Sequence, residues 1–271
     1  NYTMGVNYQH FSEHSIQQVV VSRNMLNNEA YRYKDLIETP ANLLQNYKSF
    51  EAENKVRLEH TYRKNGFRWN VGLGYEYARY RNETYNNITV QGFPVVIDYT
   101  SDLFLSKYAA FTQLSQAFLN EKLNLSFGLR MDGSNYSKIM ANPLNQLSPS
   151  FSLNYRVREN IAINANISRF HQIPAYTILG YRNMAGDLVN KQNNLQYIRA
   201  DHFVLGAEYR TKSSSRITLE GFYKNYSRYP FSVKDSLCLA NLGSDFGVVG
   251  NEEVKSISTD RKSTRLNSSH A

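Results

Sequence analysis

The chain contains a single cysteine, Cys238, and few prolines, six in all. One cysteine excludes an intramolecular disulfide framework and a cysteine-based zinc site. Long apolar runs are missing too: stretches such as VVV (19–21) and FPVVI (93–97) are far too short for a membrane-spanning helix. Asn1 opens the chain without an initiator methionine, a charged n-region or a signal h-region, so a mature chain or a piece of a longer one is expected. Nucleotide-loop, dinucleotide-fold and serine-hydrolase fingerprints are absent. The formal charge is +8, and it falls to +6 when the last twelve residues, DRKSTRLNSSHA, are set aside. These charges are scattered rather than gathered into a basic stripe, which argues against a nucleic-acid partner.

What the sequence has in quantity is tyrosine, 21 residues, with 14 phenylalanines beside it. Tyrosine suits half-buried pleated surfaces and collects at membrane–water interfaces. Apolar and polar residues alternate with period two in many stretches. In RWNVGLGYEY (68–77), Trp69, Val71, Leu73, Tyr75 and Tyr77 oppose Arg68, Asn70, Gly72, Gly74 and Glu76. KLNLSFGLRMD (122–132) and NIAINANISRF (160–170) behave the same way. Successive strand side chains face opposite sides, so each stretch is a strand with one apolar and one polar face. Ten strands are predicted, at about 2–9, 14–22, 48–63, 67–82, 101–118, 122–136, 147–157, 160–170, 198–210 and 215–228.

The connections alternate strictly between tiny and long. HFSE, KNG, LNE, RE and TKSS are short, whereas residues 23–47, 83–100 and 171–197 read as long loops. Such sorting puts every short turn at one end of an up-and-down meander, as in a transmembrane β-barrel. Tyr75, Tyr77, Tyr80, Tyr223, Tyr226 and Tyr229 lie toward the loop end and read as an interfacial girdle. Val71, Leu73, Leu125, Phe127, Leu129, Leu153, Ile161, Ile163, Leu205 and Leu219 are expected on the lipid face. Asn70, Asn124, Arg130, Arg156, Asn164, Glu208 and Glu220 are expected on the polar face.

Few residues suggest chemistry. HFSEH, with His10, Glu13 and His14, has the spacing of a zinc-peptidase motif, but that motif needs a helix and this stretch links two strands. Asp132, Glu208 and Glu220 read as solvated charges with no partner visible in the sequence. No catalytic residue, metal ligand or cofactor site is expected. The functional candidates are Tyr176 and Tyr181, in a loop that also carries Pro174, amides and charges.

QLSPSFSLNYRVREN (146–160), ISRFHQIPAY (167–176), IRADHFVLGAEYR (198–210), LEGFYKNYSRYPFSV (219–233) and LANLGSDFGVVGNE (239–252) resemble the barrel of TonB-dependent outer-membrane receptors, especially the Bacteroidetes type. The resemblance implies a barrel of twenty-two strands, an N-terminal plug, and import of a scarce ligand (iron chelate, haem, cobalamin, glycan or peptide) driven through the TonB complex. It also implies outer-membrane lipid and lipopolysaccharide as surroundings. Residues 1–259 are therefore expected to be an incomplete all-β, antiparallel up-and-down transmembrane barrel, without the plug, the TonB box and the remaining strands. The alternatives are a passive outer-membrane porin and a soluble or surface β-rich binding protein. Residues 260–270 match, codon by codon, a frame of a widely used sequencing adapter, and residues 260–271 are expected to be a non-native tail outside the fold.

Overall fold

The computed structural model describes residues 1–90, 93–211, 215–232, 237–238, 253–257 and 263–270. Ten strands follow one another as a single antiparallel meander: β1 (Tyr2–Phe11), β2 (Ser15–Tyr33), β3 (Leu43–Lys64), β4 (Phe67–Val90), β5 (Phe93–Phe118), β6 (Leu123–Ser134), β7 (Ser148–Arg158), β8 (Ile161–Gln172), β9 (Ile198–Arg210) and β10 (Arg216–Ser227). Each pairs with its neighbours in the chain, and the sheet runs from β1 at one side without closing on itself. Three further strands, β11 (Tyr229–Ser232), β12 (Leu237–Cys238) and β13 (Val254–Ile257), make a small separate sheet. Residues 239–252, which carry part of the family resemblance, lie outside the described residues.

All ten predicted strands are present, but three expectations need correction. Residues 83–90 and 93–100 are strand, not loop, and β2 and β3 reach to Tyr33 and back from Leu43. The outer part of β4 carries polar residues on both faces, as in RNETYNN, so no apolar–polar period betrays it, and in β5 the unbroken apolar run FPVVI shows no alternation either. The girdle is narrower than predicted. Tyr75 and Tyr77 are exposed on the apolar face, whereas Tyr80 is buried at 1% exposure on the opposite one, as its even number along β4 requires. Finally, β10 is not an edge. The strand β14 (Ser263–His270) pairs along it from Ile217 opposite His270 to Lys224 opposite Ser263, so the tail expected outside the fold extends the sheet. A free strand edge offers a row of unpaired N–H and C=O groups, and an added strand satisfies them.

Tight turns gather at one end of the sheet. At Asn65 and Gly66 both φ angles are positive (50° and 73°), the conformation of a two-residue hairpin that Asn-Gly favours. At the other end stand segments 34–42, 135–147 and 173–197.

Residues directly opposite one another on paired strands share a face, so the register defines both surfaces. One row runs Tyr62, Trp69, Leu114, Phe127, Phe151, Ile167, Phe203, Tyr223 across seven strand pairs. Trp69 to Phe203 in this row are 38–53% exposed, although they are large and apolar. The next row on the other face reads Thr61, Asn70, Gln113, Gly128, Ser150, Ser168, His202, Lys224. The residues predicted for each face lie on it in this register. Along β4 the apolar face runs from Trp69 to Tyr77 and then turns to Arg79 and Arg81. About nine strand residues suffice to cross the hydrocarbon layer of a bilayer.

Candidate functional site

The interior of the molecule lies on the polar face, at the loop end. Ala78, Tyr80, Leu103 and Leu105 on β4 and β5 pack with Tyr136, Met140, Tyr176, Ile178, Leu179, Leu195 and Tyr197 from the long segments. Segment 173–197 carries two short helices, α2 (Tyr176–Leu179) and α3 (Val189–Gln192). Tyr136 Oη donates to the Leu179 carbonyl (2.9 Å) and Asn190 Nδ2 donates to the Ile178 carbonyl (2.8 Å), tying the segment down. A Cβ on Gly180 would meet the Tyr80 ring at 2.7 Å, so glycine permits the close approach of loop to wall.

Below this apolar cap stands a cluster of charges. Lys55 on β3 is opposite Glu76 on β4, and Glu76 is opposite Lys107 on β5. Glu53 shares their face two residues from Lys55. Lys55 Nζ lies 2.6 Å from Glu53 and 3.6 Å from Glu76. Lys107 pairs with Glu76 and lies 3.6 Å from Glu53. Two cations and two anions thus neutralise one another where Glu53, Glu76 and Lys107 have side chains only 16–19% exposed. Tyr176 completes the cluster from the loop. Its Oη donates to Glu53 Oε1 (2.7 Å) and accepts from Lys107 Nζ (2.5 Å). Burial, then the Glu53 and Glu76 anions, raise the Tyr176 pKa well above the ordinary tyrosine value, so the phenol remains a donor.

Cavities flank the cluster. One of about 510 Å³ is bounded by Tyr47, Glu51, Glu53, Lys107, Pro174 and Tyr176. A second, of about 270 Å³, lies beside Lys55, Glu76, Arg130, Asp132 and Tyr197. A third, of about 360 Å³, sits nearer the tight turns and is lined by Asn124, Asn154, Asn164, Asn166 and Glu220. They lie on the sheet's polar face.

Of the two sequence candidates, Tyr176 is buried (8% exposed) and borders the first cavity. Tyr181 stands edge-on against Tyr99 at 5.6 Å. The two are brought to the same wall, on neighbouring strands. His10 lies in β1, while Glu13 and His14 sit at the β1–β2 turn, Glu13 with its side chain 89% exposed.

Sequence reading missed the partners of the carboxylates. Asp132 is held by Arg130 two residues before it (2.6 Å), and Glu208 by Arg210 two residues after it (2.5 Å). Glu53 with Lys55, Arg57 with Glu59, Arg81 with Glu83 and Arg199 with Asp201 repeat the spacing. Opposite charges two apart on a strand share a face, so the signal was available in the sequence.

Comparison with known proteins bears on this arrangement. Residues 1–256 match a family model described as TonB dependent receptor-like, beta-barrel. No curated protein is matched by the chain. Among solved structures, the chain is similar to the copper transporter OprC (TM-score 0.66, 14% identity), covering 98% of this chain and 42% of that one. It is similar to a mutant of the ferric enterobactin receptor PfeA from Pseudomonas aeruginosa (TM-score 0.64, 15% identity, 98% and 40% covered). The pyoverdine receptor FpvA from Pseudomonas aeruginosa PAO1 gives a TM-score of 0.62 at 13% identity, with 98% and 40% covered. At these identities the likeness is one of fold, and the chain spans less than half the length of each of these structures.

Proposed function

The chain belongs to the TonB-dependent receptor-like β-barrel family, and from that premise we propose that it forms part of the wall of an outer-membrane receptor that imports a scarce ligand with energy passed through TonB. The observation that carries this reading is the two-faced sheet. An exposed apolar row stands on one side, and a polar side bears a buried charge cluster and cavities on the other. The apolar side suits lipid and the polar side a hydrated lumen. The long segments then face the cell exterior and the tight turns the periplasm. The cavity beside Tyr176 is the ligand-facing part of this lumen, with segment 173–197 folded into its mouth and Tyr181 beside it. The Bacteroidetes-type phrases of the sequence support that branch of the family. The adapter-like spelling supports a non-native origin for residues 260–271.

The test is accumulation of candidate ligands (iron chelates, haem, cobalamin, glycans, peptides) by cells carrying the intact receptor. Uptake should stop when TonB is deleted. Uptake that is unchanged by TonB deletion would indicate a passive porin instead.

A further inference from the structure

We propose that the free backbone edge of β5 from Val96 to Phe104 binds an extended, basic segment of a partner protein outside the cell, which adds to the sheet as a further strand. The side of the membrane rests on the outer-membrane reading above; the edge itself does not.

The register leaves this edge open. β4 pairs with β5 from Val90 opposite Phe93 to Phe67 opposite Gln116, whereas β6 pairs with β5 only from Lys107 to Phe118. At the junction the Asn135 N–H donates to the Ser106 carbonyl (3.1 Å), and the Ser106 N–H donates to Asn135 Oδ1 (3.0 Å). The backbone groups of Ser106 therefore point away from β4. The N–H of Ala117, an odd-numbered residue, points toward β4 and reaches the Gly66 carbonyl (3.1 Å). Strand backbone groups alternate in direction with period two, and the pairing with β4 has no register shift. Val96, Asp98, Thr100, Asp102 and Phe104 thus aim N–H and C=O at the open side, where they have no backbone partner among the described residues. Pro94, which has no N–H, closes the row. At about 3.3 Å per residue the row is roughly 30 Å long. It runs along the loop side of the wall: on β4 the outer face turns from Tyr77, opposite Ser106, to Arg79 and Arg81, opposite Phe104 and Asp102.

The residues along the row select the occupant. All five are exposed, and two of them are acidic. Asp102 is held by Arg79 (2.7 Å), whereas Asp98 has no ion pair among the described residues. A second copy of this chain fits poorly. Antiparallel self-pairing centred on Thr100 sets Asp98 opposite Asp102 twice, and like charges directly opposite one another are destabilising. An extended segment with lysine or arginine facing both aspartates is complementary instead, because opposite charges across a strand pair attract. In such a segment the basic residues stand four apart, with a residue between them opposite Thr100. Asp98, not yet paired, contributes more than Asp102. A free edge is a ready template for an added strand: main-chain bonds supply affinity and alternate side chains supply specificity.

The experiment uses the intact receptor in detergent and a fluorescent peptide, TKVTVKVT, as probe. Anisotropy reads binding, and hydrogen exchange maps the contact. The probe should bind and slow exchange within residues 96–104, while β7 and β8 keep their rates. Thr100→Pro removes an outward N–H and leaves the ladder with β4 intact, since proline is tolerated on strand edges. It should weaken binding by at least about tenfold, and Asp98→Lys by a similar factor. The probe with glutamate in place of lysine should also bind at least about tenfold more weakly. A probe N-methylated at the residues that bond the edge should not bind. Heat-modifiable migration confirms that each variant is folded. Undiminished binding by the folded T100P variant would overturn the proposal, as would equal binding of the N-methylated probe, which would show a purely ionic contact. A parent receptor that binds no probe would overturn it too. TonB-dependent uptake by the same proteins keeps the two readings apart. Uptake retained by a parent that binds no probe removes this site and leaves the transporter reading standing, whereas uptake that ignores TonB removes the transporter reading and leaves peptide binding to be judged by itself.

Discussion

Glu76 on β4 and Lys107 on β5 stand directly opposite each other and form an ion pair whose side chains are only 19% and 16% exposed. Because they are largely out of water, each depends on the other, and Tyr176 ties both to the loop above them.

Lys107→Met should leave Lys55 alone to neutralise Glu53 and Glu76. Removing one partner of a buried pair costs about 3–5 kcal/mol. Removing both charges with E76Q/K107M should cost much less than the sum, and denaturant unfolding of the intact receptor measures the difference. Equal losses in the single and double variants would show that the pair does not act as a unit.

Tyr176→Phe deletes one hydroxyl and leaves the ring tilted against Tyr80, 5.8 Å away. The orphaned Glu53 and Lys107 contacts should weaken loop anchoring by about 1–3 kcal/mol. Hydrogen exchange should accelerate within residues 173–197 and stay unchanged in β6 and β7. Uniform acceleration throughout the barrel would mean that the hydroxyl supports the wall rather than the loop.

At Gly72, an added Cβ would lie 2.4 Å from the Phe111 ring and 2.9 Å from the Leu58 carbonyl. Gly72→Ala should cost about 1–3 kcal/mol by overpacking. Adding Phe111→Leu should recover part of that loss, a coupling that a double-mutant cycle measures.

The strands were legible because their membrane-facing parts alternate. The outer parts of β4 and β5 were not legible: in RNETYNN both faces are polar and in FPVVI both are apolar, so the alternation that marks a strand disappears. The charge cluster was half legible. Glu76 sits at a polar-face position in RWNVGLGYEY, and Glu53-x-Lys55 has same-face spacing. Its bond to Lys107 depends on a register between strands thirty residues apart, which no local pattern states. Tyr176 stood out for its composition among Pro174 and nearby amides. That it points into the wall is a consequence of the loop folding inward. The pairing of β14 with β10 was missed because the tail was judged on its own period, whereas an open sheet edge recruits whatever strand reaches it.

Topology offers a separate check. Tags placed at Glu38 in segment 34–42 and at Gly186 in segment 173–197 should be labelled on intact cells, and a tag at Asn65 should not. Labelling only at Asn65 would invert the orientation.

Charge placed in the apolar row should be far more costly than on the other face. Phe127→Arg lies midway between Leu123 and Met131 on β6 and should cost about 2–4 kcal/mol in the bilayer. Asn124→Arg, facing the polar side, should cost under about 1 kcal/mol, since surface substitutions away from special features stay within a few tenths. Matching costs would contradict the assignment of faces.

The most direct measurement is a spin-label scan of residues 69 to 77 on β4 in the intact receptor, reconstituted into liposomes. Collision rates with oxygen, which partitions into lipid, and with a water-soluble nickel complex are read at each site. If β4 is a wall strand, labels at residues 69, 71, 73, 75 and 77 should favour oxygen and those at 70 and 74 should favour nickel, with a period of two. Equal nickel access at every position would contradict a membrane wall and make the sheet that of a soluble protein.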